Sequence, residues 1–144
     1  MDAWVPYQLA SSVEKFRRDG HSEQLLVFPN LRDSGIVVEV GGYTGGWGLE
    51  MAKRYGCEVV IFEPIEEFAR EILSKVETKR NVEVHEVALG DRDESAIFFN
   101  SGDGSGAYRA GTPVSVNVRK PNHSNFPVFG GYIDVMLINI EGGE

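Results

Sequence analysis

The sequence contains few of the residues that build disulfide frameworks or membrane spans. Its 144 residues include a single cysteine, Cys57, so no disulfide can form within the chain, and this favours a reducing cytoplasmic location. No apolar run approaches the length of a membrane-spanning helix, and the N-terminal residues lack the apolar core of a signal peptide. The sequence therefore predicts a cytoplasmic protein without a membrane partner.

Positive charge is also scarce. The chain has 14 Lys and Arg residues against 22 Asp and Glu residues, a formal net charge of −8. A protein of this charge lacks the basic surface that binds nucleic acid phosphates regardless of base sequence, so no nucleic acid partner is expected. The three histidines, His21, His85 and His123, do not follow the spacing of metal ligands, so no metal site is expected.

One stretch, residues 36–48, organises the rest of the chain. An apolar run rich in β-branched residues leads into a turn with four glycines between residues 41 and 46. The run is typical of a strand buried on both faces of a parallel sheet. The glycines remove Cβ atoms where the backbone turns sharply and where a ligand can approach it. A helical pattern follows, whose free N–H groups and positive dipole end should face the turn, so we expect a nucleotide or nucleoside site here.

The remaining pattern is one of strands and helices joined by short connections. We expect buried strands at 58–62, 82–89 and 132–140, helices ending near Tyr55 and beginning at Pro64, and a strand pair at 96–99 and 114–118. Right-handed crossovers make this an α/β fold with a doubly wound, mostly parallel, Rossmann-like sheet and an inserted β-hairpin. Because the chain stops where the next crossover helix should begin, we expect a fold truncated after its fourth core strand.

The chain divides at about residue 34 in this interpretation. Residues 1–34 form a helical entry segment, and residues 35–144 form the ligand-binding domain. The entry segment serves either as a helical cover for one sheet edge or as a flap over a ligand. Sheet edges left open by missing strands make a homodimer a candidate assembly.

Three acidic residues, Glu39, Glu63 and Glu141, fall at the carboxyl ends of predicted strands, where the ligand crevice of such a sheet lies. Glu63 follows Gly41 by 22 residues, close to the spacing at which an acidic residue binds a ribose diol. Glu63 also stands at the start of a helix, where it would accept hydrogen bonds from free N–H groups as a cap. The two roles are compatible with one another.

The glycine spacing separates the nucleotide classes. No glycine has partners at both i+2 and i+5, as the dinucleotide fingerprint requires, and no Lys-Ser or Lys-Thr follows the turn as in a P-loop. What remains is Glu39, Gly41 and Gly45 in the spacing E-x-G-x-x-x-G. An acid at the strand end repels a pyrophosphate and suits the ammonium and sulfonium groups of S-adenosylmethionine (SAM). An NAD-linked oxidoreductase is the disfavoured alternative.

Four ordered motifs resemble those of the FkbM-type SAM-dependent methyltransferases and together cover roughly residues 35–144. They are V-E-V-G with the following glycines (38–45), F-E-P (62–64), V-A-L-G-D (87–91) and the segment from I-D-V to I-E-G-G-E (133–144). The resemblance implies the class I methyltransferase fold, SAM as cofactor, and O-methylation of a hydroxyl on a saccharide or another small metabolite.

The resemblance also implies roles for individual residues. It implies that Glu39 and Gly41 hold the methionine end of SAM, that Glu63 holds the ribose, and that Ala88 lies beside the adenine. The other cofactor-binding candidates are the neighbours of these residues in the same motifs: Gly42, Tyr43, Gly45 and Pro64.

The chain departs from the family pattern on the acceptor side. Asn139 stands where the family has Asp, and an amide cannot act as a general base; it can only position a hydroxyl by hydrogen bonds. Glu141 is the nearest ionisable candidate, although a carboxylate at a helix N-terminus explains it equally well. Asn139 and Glu141 are therefore the catalytic candidates, and a catalytically inactive or truncated SAM-binding module is the alternative function.

Overall fold

The computed structural model describes residues 14–15, 18–76, 78–101 and 111–140. The chain divides into two compact units, Met1–Asn30 and Leu31–Glu144. In the first unit a short helix, α1 (His21–Gln24), follows Gly20, which has a left-handed backbone with φ of 76°. Of the predicted entry segment, residues 1–13, 16 and 17 lie outside the described residues.

Within the described ranges, the second unit holds two sheets and two longer helices. In chain order its elements are β1 (Ile36–Val40), α2 (Gly46–Tyr55), β2 (Glu58–Phe62), α3 (Glu66–Val76), β3 (Val82–His85), β4 (Ala88–Leu89), β5 (Glu94–Asn100), β6 (Thr112–Arg119), a 3-10 turn (Pro127–Gly130) and β7 (Val135–Ile138). No helix in the described ranges is long and apolar enough to cross a membrane.

The main sheet is parallel and has the order β3-β2-β1-β7. This confirms the prediction of an α/β protein with a mostly parallel, Rossmann-like sheet. The chain runs outward from β1 to β2 and β3 on one side, and then returns to add β7 on the other side of β1. The strand order therefore reverses between β1 and β7, and in open α/β sheets the ligand crevice lies at the carboxyl ends of the strands at such a point.

The two faces of the main sheet are covered differently. Helices α2 and α3 both pack on the face that carries Glu39 and Ile61, where a Cβ on Gly48 of α2 would meet both side chains. The opposite face carries Val38, Val40, Val60 and Phe62, which form a buried cluster with Phe126 from the segment before the 3-10 turn. In the described ranges both crossover helices thus share one face, whereas the doubly wound arrangement that we predicted places helices on both.

Three predicted boundaries were wrong. The strand expected over residues 82–89 ends at His85, because the Val87 N–H turns back to the His85 carbonyl and Ala88–Leu89 pairs with β6 in a second sheet. The last strand is limited to Val135–Ile138, and it is half exposed because no further strand pairs with it in the described part of the chain. Helix α3 begins at Glu66, so Pro64 precedes the helix and does not open its first turn.

The predicted hairpin is confirmed and extends further than expected. Strands β5 and β6 pair in antiparallel fashion from Glu94 opposite Val118 to Asn100 opposite Thr112, and β4 adds to β6 to give the order β4-β6-β5. The hairpin loop, residues 102–110, lies outside the described residues. The second sheet brings Phe98 of β5 toward the carboxyl end of the main sheet, where it lines a cavity together with Val40 and Phe62.

Candidate functional site

The glycine turn lies at the point where the strand order reverses. Gly41 follows β1 with φ of 87°, and a Cβ at this position would overlap the carbonyl oxygen of Asn139 after β7. Gly45, with φ of 80°, is the N-cap of α2. A Cβ on Gly42 would overlap the side chain of Ile61, whereas one on Gly46 would meet no atom within 4 Å. Gly41, Gly42 and Gly45 are therefore required by the geometry of the turn, whereas Gly46 is not.

Tyr43 is held in a conformation that is rare for a residue with a side chain. Its φ is 48°, the only positive φ outside glycine in the described ranges. This conformation directs the Tyr43 N–H to Glu63 Oε2 at 2.7 Å, and the ring packs edge-on against Phe68 of α3 with a centroid separation of 4.6 Å. The turn thus stores local strain beside a buried carboxyl group, an arrangement that is common at ligand sites.

Glu63 is buried directly beyond the end of β2, with 5% of its surface exposed. Its two oxygens accept N–H groups from opposite sides, Tyr43 at 2.7 Å and Ile65 at 2.9 Å. Burial raises the pKa of this carboxyl, and the two hydrogen bonds oppose the rise. The Ile65 bond matches the capping role considered for Glu63. A carboxylate has about four lone-pair positions, and these two hydrogen bonds use two of them.

Glu39 is the second buried acid of the site, with 4% of its surface exposed. Its Oε2 accepts the N–H of Gly48 at 3.0 Å. Burial raises the pKa of Glu39 from 4.5 to about 8; the Gly48 hydrogen bond lowers it, and the charge of Glu63 raises it further. In the part of the chain that the structure describes, no Lys, Arg or His forms an ion pair with Glu39 or Glu63.

Five backbone amides of the turn and of the start of α2 are bonded within the protein. The N–H groups of Gly41 and Gly42 both donate to the Phe62 carbonyl, that of Gly45 donates to the Gly42 carbonyl, and those of Tyr43 and Gly48 donate to the two buried acids. We had expected free amides at the start of α2 to face a ligand. Among the first three amides of α2, that of Gly48 departs from this expectation, because the Glu39 carboxyl accepts it. Of the other four amides named here, Tyr43 donates to the Glu63 carboxyl and three donate to backbone carbonyls.

A cavity of about 360 Å³ lies next to the turn on the opposite face of the sheet. Of the predicted cofactor residues, Gly41, Pro64 and Ala88 line it. The other lining residues come from the strand ends and the second sheet: Val40, Phe62, Val87, Leu89, Gly90, Asp91, Phe98 and Ile140. Its volume falls within the range of about 300–1,000 Å³ that is usual for small-molecule sites.

The remaining predicted cofactor residues do not line the cavity. Glu39, Gly42, Tyr43, Gly45 and Glu63 are absent from its lining, since the side chains of Glu39 and Glu63 turn toward the glycine turn and the helices. The predicted residues thus lie at one edge of the sheet but form two groups: one lines the cavity, and the other surrounds the two acids on the helix-covered side of the Gly41 backbone. The sequence analysis missed Phe98, because only the fold-back of the hairpin carries that residue to the cavity.

The structure describes only one of the two catalytic candidates, Asn139. Asn139 donates its backbone N–H to the Val40 carbonyl at 2.9 Å, which extends the pairing of β7 with β1, and its side chain is exposed. Glu141 lies outside the described residues, so the structure assigns it no position.

Lys75 was not predicted to belong to the site, although it reaches the turn. Its Nζ donates to the Thr44 carbonyl at 2.8 Å and to Glu71 Oε1 at 2.7 Å. The amphipathic pattern of α3 places Lys75 on an exposed face, and such a position carries no signal of a contact 31 residues away.

Two further comparisons bear on the site. The described residues contain no group of three or more His, Cys, Asp or Glu side chains that could hold a metal ion. Among known proteins, no family model matches the chain, and no curated protein gives a significant match.

Proposed function

We propose that the chain is a SAM-binding domain of the class I methyltransferase type, which transfers a methyl group to a hydroxyl of a saccharide or another small metabolite. The observation that carries the proposal is the glycine turn at the strand-order reversal, where two buried acids, Glu39 and Glu63, take up the backbone amides. A largely apolar cavity adjoins this turn through Gly41.

The hydrogen bonds already made by the backbone amides of the turn favour a cationic nucleoside over a dinucleotide as the ligand. A pyrophosphate binds at a glycine-rich turn through free backbone N–H groups and the positive end of a helix. Here five of those N–H groups are occupied, two of them by carboxyl oxygens that a pyrophosphate would have to displace or approach closely. SAM has no phosphate, so its binding does not require these N–H groups to be free.

The residues around the turn fit the parts of SAM. The two remaining lone-pair positions of the Glu63 carboxylate suit the ribose hydroxyls, since one carboxylate accepts two O–H groups with defined geometry. The cavity beside Ala88 and Phe98 offers flat apolar contact of the kind that an adenine ring prefers. Between them, Gly41 presents bare backbone to the ligand.

The reaction that this proposal implies is an in-line displacement. SAM, when bound, supplies a methyl group that is activated by its positive sulfur. A hydroxyl oxygen of the acceptor forms the new bond to the methyl carbon while the carbon–sulfur bond breaks, and the hydroxyl proton passes to a base. Asn139 can orient the hydroxyl by a hydrogen bond but cannot take its proton, which leaves Glu141 as the candidate base.

A second candidate function is a SAM-binding module that does not catalyse transfer. The observation in its favour is Asn139, an exposed amide at the position where the resembling family has a carboxylate. Methyl transfer from SAM to any hydroxyl acceptor would exclude this alternative.

Isothermal titration calorimetry with SAM and NADH tests the proposal, with circular dichroism to show that each protein is folded. We expect SAM to bind and NADH to bind more weakly or not at all. Glu63→Gln should weaken SAM binding about tenfold, because a hydrogen bond to a charged group is lost. Glu66→Gln, which removes an exposed acid at the start of α3, is the matched control and should bind SAM as the wild type does. Absence of SAM binding by folded protein, or tighter binding of NADH, would refute the proposal.

A further inference from the structure

Glu39 has no access to the cavity that we assign to the ligand. Its carboxyl lies on the helix-covered face of the main sheet, 4% exposed, with Oε2 at 3.0 Å from the Gly48 N–H. The cavity is lined by Val40 and Phe62, whose side chains occupy the other face. Glu39 can therefore influence a ligand in this cavity only indirectly, through the backbone of α2 and of the glycine turn.

The hydrogen bond that Glu39 accepts from Gly48 is one that the side chain of an N-cap residue normally accepts. Gly48 is the third residue of α2, and its amide is one of those that a capping side chain at the N-cap satisfies. The N-cap of α2 is Gly45, which has no side chain for this purpose. Glu39 therefore caps α2 from the neighbouring strand.

Gly48 itself supports this arrangement independently. Glycine inside a helix is unfavourable by about 1 kcal/mol relative to alanine, so its presence in α2 needs a reason. A Cβ on Gly48 would lie 2.5 Å from Glu39 Oε2 and 2.9 Å from Ile61 Cδ1. Helix α2 thus has no side chain at the position that contacts the Glu39 carboxyl.

We infer that Glu39 is a positioning residue: it holds the first turn of α2, and through it the Gly41–Gly45 turn, without touching the bound ligand. This differs from the role implied by the resemblance, in which Glu39 holds the methionine end of SAM. The inference about ligand affinity rests on the proposed function, whereas the inference about α2 does not.

The electrostatic surroundings of Glu39 contain one other buried titratable group, Glu63, whose charge acts on Glu39. The charged side chains of α2 lie at or near the helix surface: Glu50, Lys53 and Arg54. Lys75 of α3 is exposed and bonds to Thr44 and Glu71. Strand β7 carries no charged residue.

Two substitutions separate positioning from direct binding. Glu39→Gln keeps an oxygen that can accept the Gly48 N–H and removes the titratable group, whereas Glu39→Leu removes the acceptor. Amide hydrogen exchange at Gly48, resolved by NMR, reports the capping bond with or without ligand. The Gly48 amide proton shift as a function of pH reports whether the acceptor titrates, and calorimetry gives the affinity for SAM.

We expect Glu39→Gln to retain the protection of Gly48 and to bind SAM close to the wild-type affinity. Glu39→Leu should lose about tenfold in Gly48 protection and about tenfold in SAM affinity. The Gly48 proton shift should titrate in the wild type and not in Glu39→Gln, a comparison that remains decisive should Glu39→Leu fail to fold.

Three results would overturn the inference. The first is unchanged Gly48 protection in a folded Glu39→Leu variant, and the second is a wild-type Gly48 shift that does not respond to pH. The third is a large loss of SAM affinity in Glu39→Gln with Gly48 still protected, which would make Glu39 a direct ligand. Failure of every variant and of the wild type to bind SAM would refute the proposed function alone, since the exchange and shift measurements need no ligand.

Discussion

Lys75 Nζ lies 2.8 Å from the carbonyl oxygen of Thr44, so the glycine turn is bonded to the outer face of α3 as well as to the acids beneath it. Replacing Lys75 with Met removes this bond. Because the lysine is exposed, the free energy of unfolding should fall by less than about 1 kcal/mol. Amide exchange at residues 43–45 should nevertheless rise, because the turn loses an external attachment.

Lys53→Met is the matched control for this prediction, since Lys53 is an exposed lysine of α2 without a bond to the turn among those described. Hydrogen exchange measured by mass spectrometry checks both variants. Equal exchange of residues 43–45 in the two variants would show that the Lys75 bond does not hold the turn.

Alanine substitutions at two glycines of the turn should have very different effects on the free energy of unfolding. Gly41→Ala places a Cβ against the Asn139 carbonyl at a φ of 87°, so we expect a loss of at least about 1–3 kcal/mol in unfolding free energy. Gly46→Ala, whose new Cβ would have no atom within 4 Å, should be close to neutral. Urea denaturation of both variants measures the difference, and similar stabilities would contradict the described turn geometry.

The raised pKa of Glu39 makes the stability of the fold depend on pH. Between 4.5 and about 8 the folded protein retains a proton on Glu39 that the unfolded chain has already lost. Stability should therefore fall as the pH rises through this window, with a slope of up to about 1.4 kcal/mol per pH unit from this group. Burial of Glu63 raises its pKa as well and acts in the same direction.

Glu39→Gln has no proton to lose at this position, so its slope should be shallower, and it should become more stable than the wild type near the upper end of the window. Unfolding free energies at a series of pH values provide the check. Parallel pH profiles for the two proteins would mean that Glu39 titrates normally in the fold.

Much of the fold follows from local sequence patterns. Strands β1 and β2 coincide with five-residue segments in which four residues are apolar. Helix α2 is followed by Gly56 as its C-cap, whose φ of 68° is the left-handed conformation that glycine adopts most readily. The helical spacing of Phe68, Ala69, Ile72 and Val76 likewise matches the buried face of α3. In each case neighbouring residues determine the structure, so the sequence alone is sufficient.

The errors arose where distant residues decide the outcome. Ala88 pairs with Val118, 30 positions later, and this pairing ends β3 early. The position of Glu63 at the turn was predictable because parallel strands end at a common edge, but its hydrogen bond to Tyr43 depends on an unusual backbone angle that no composition rule predicts. The face occupied by Glu39 follows from strand alternation; its partner Gly48 follows only from the packing of α2 on the sheet.

A crystal structure of the chain with SAM bound tests directly whether the glycine turn and the adjoining cavity bind this nucleoside. We predict that the adenine lies in the cavity between Ala88 and Phe98, with a ribose hydroxyl within hydrogen-bonding distance of the Glu63 carboxyl. A nucleoside bound elsewhere on the protein, or in that cavity with its sugar directed away from Glu63, would contradict it.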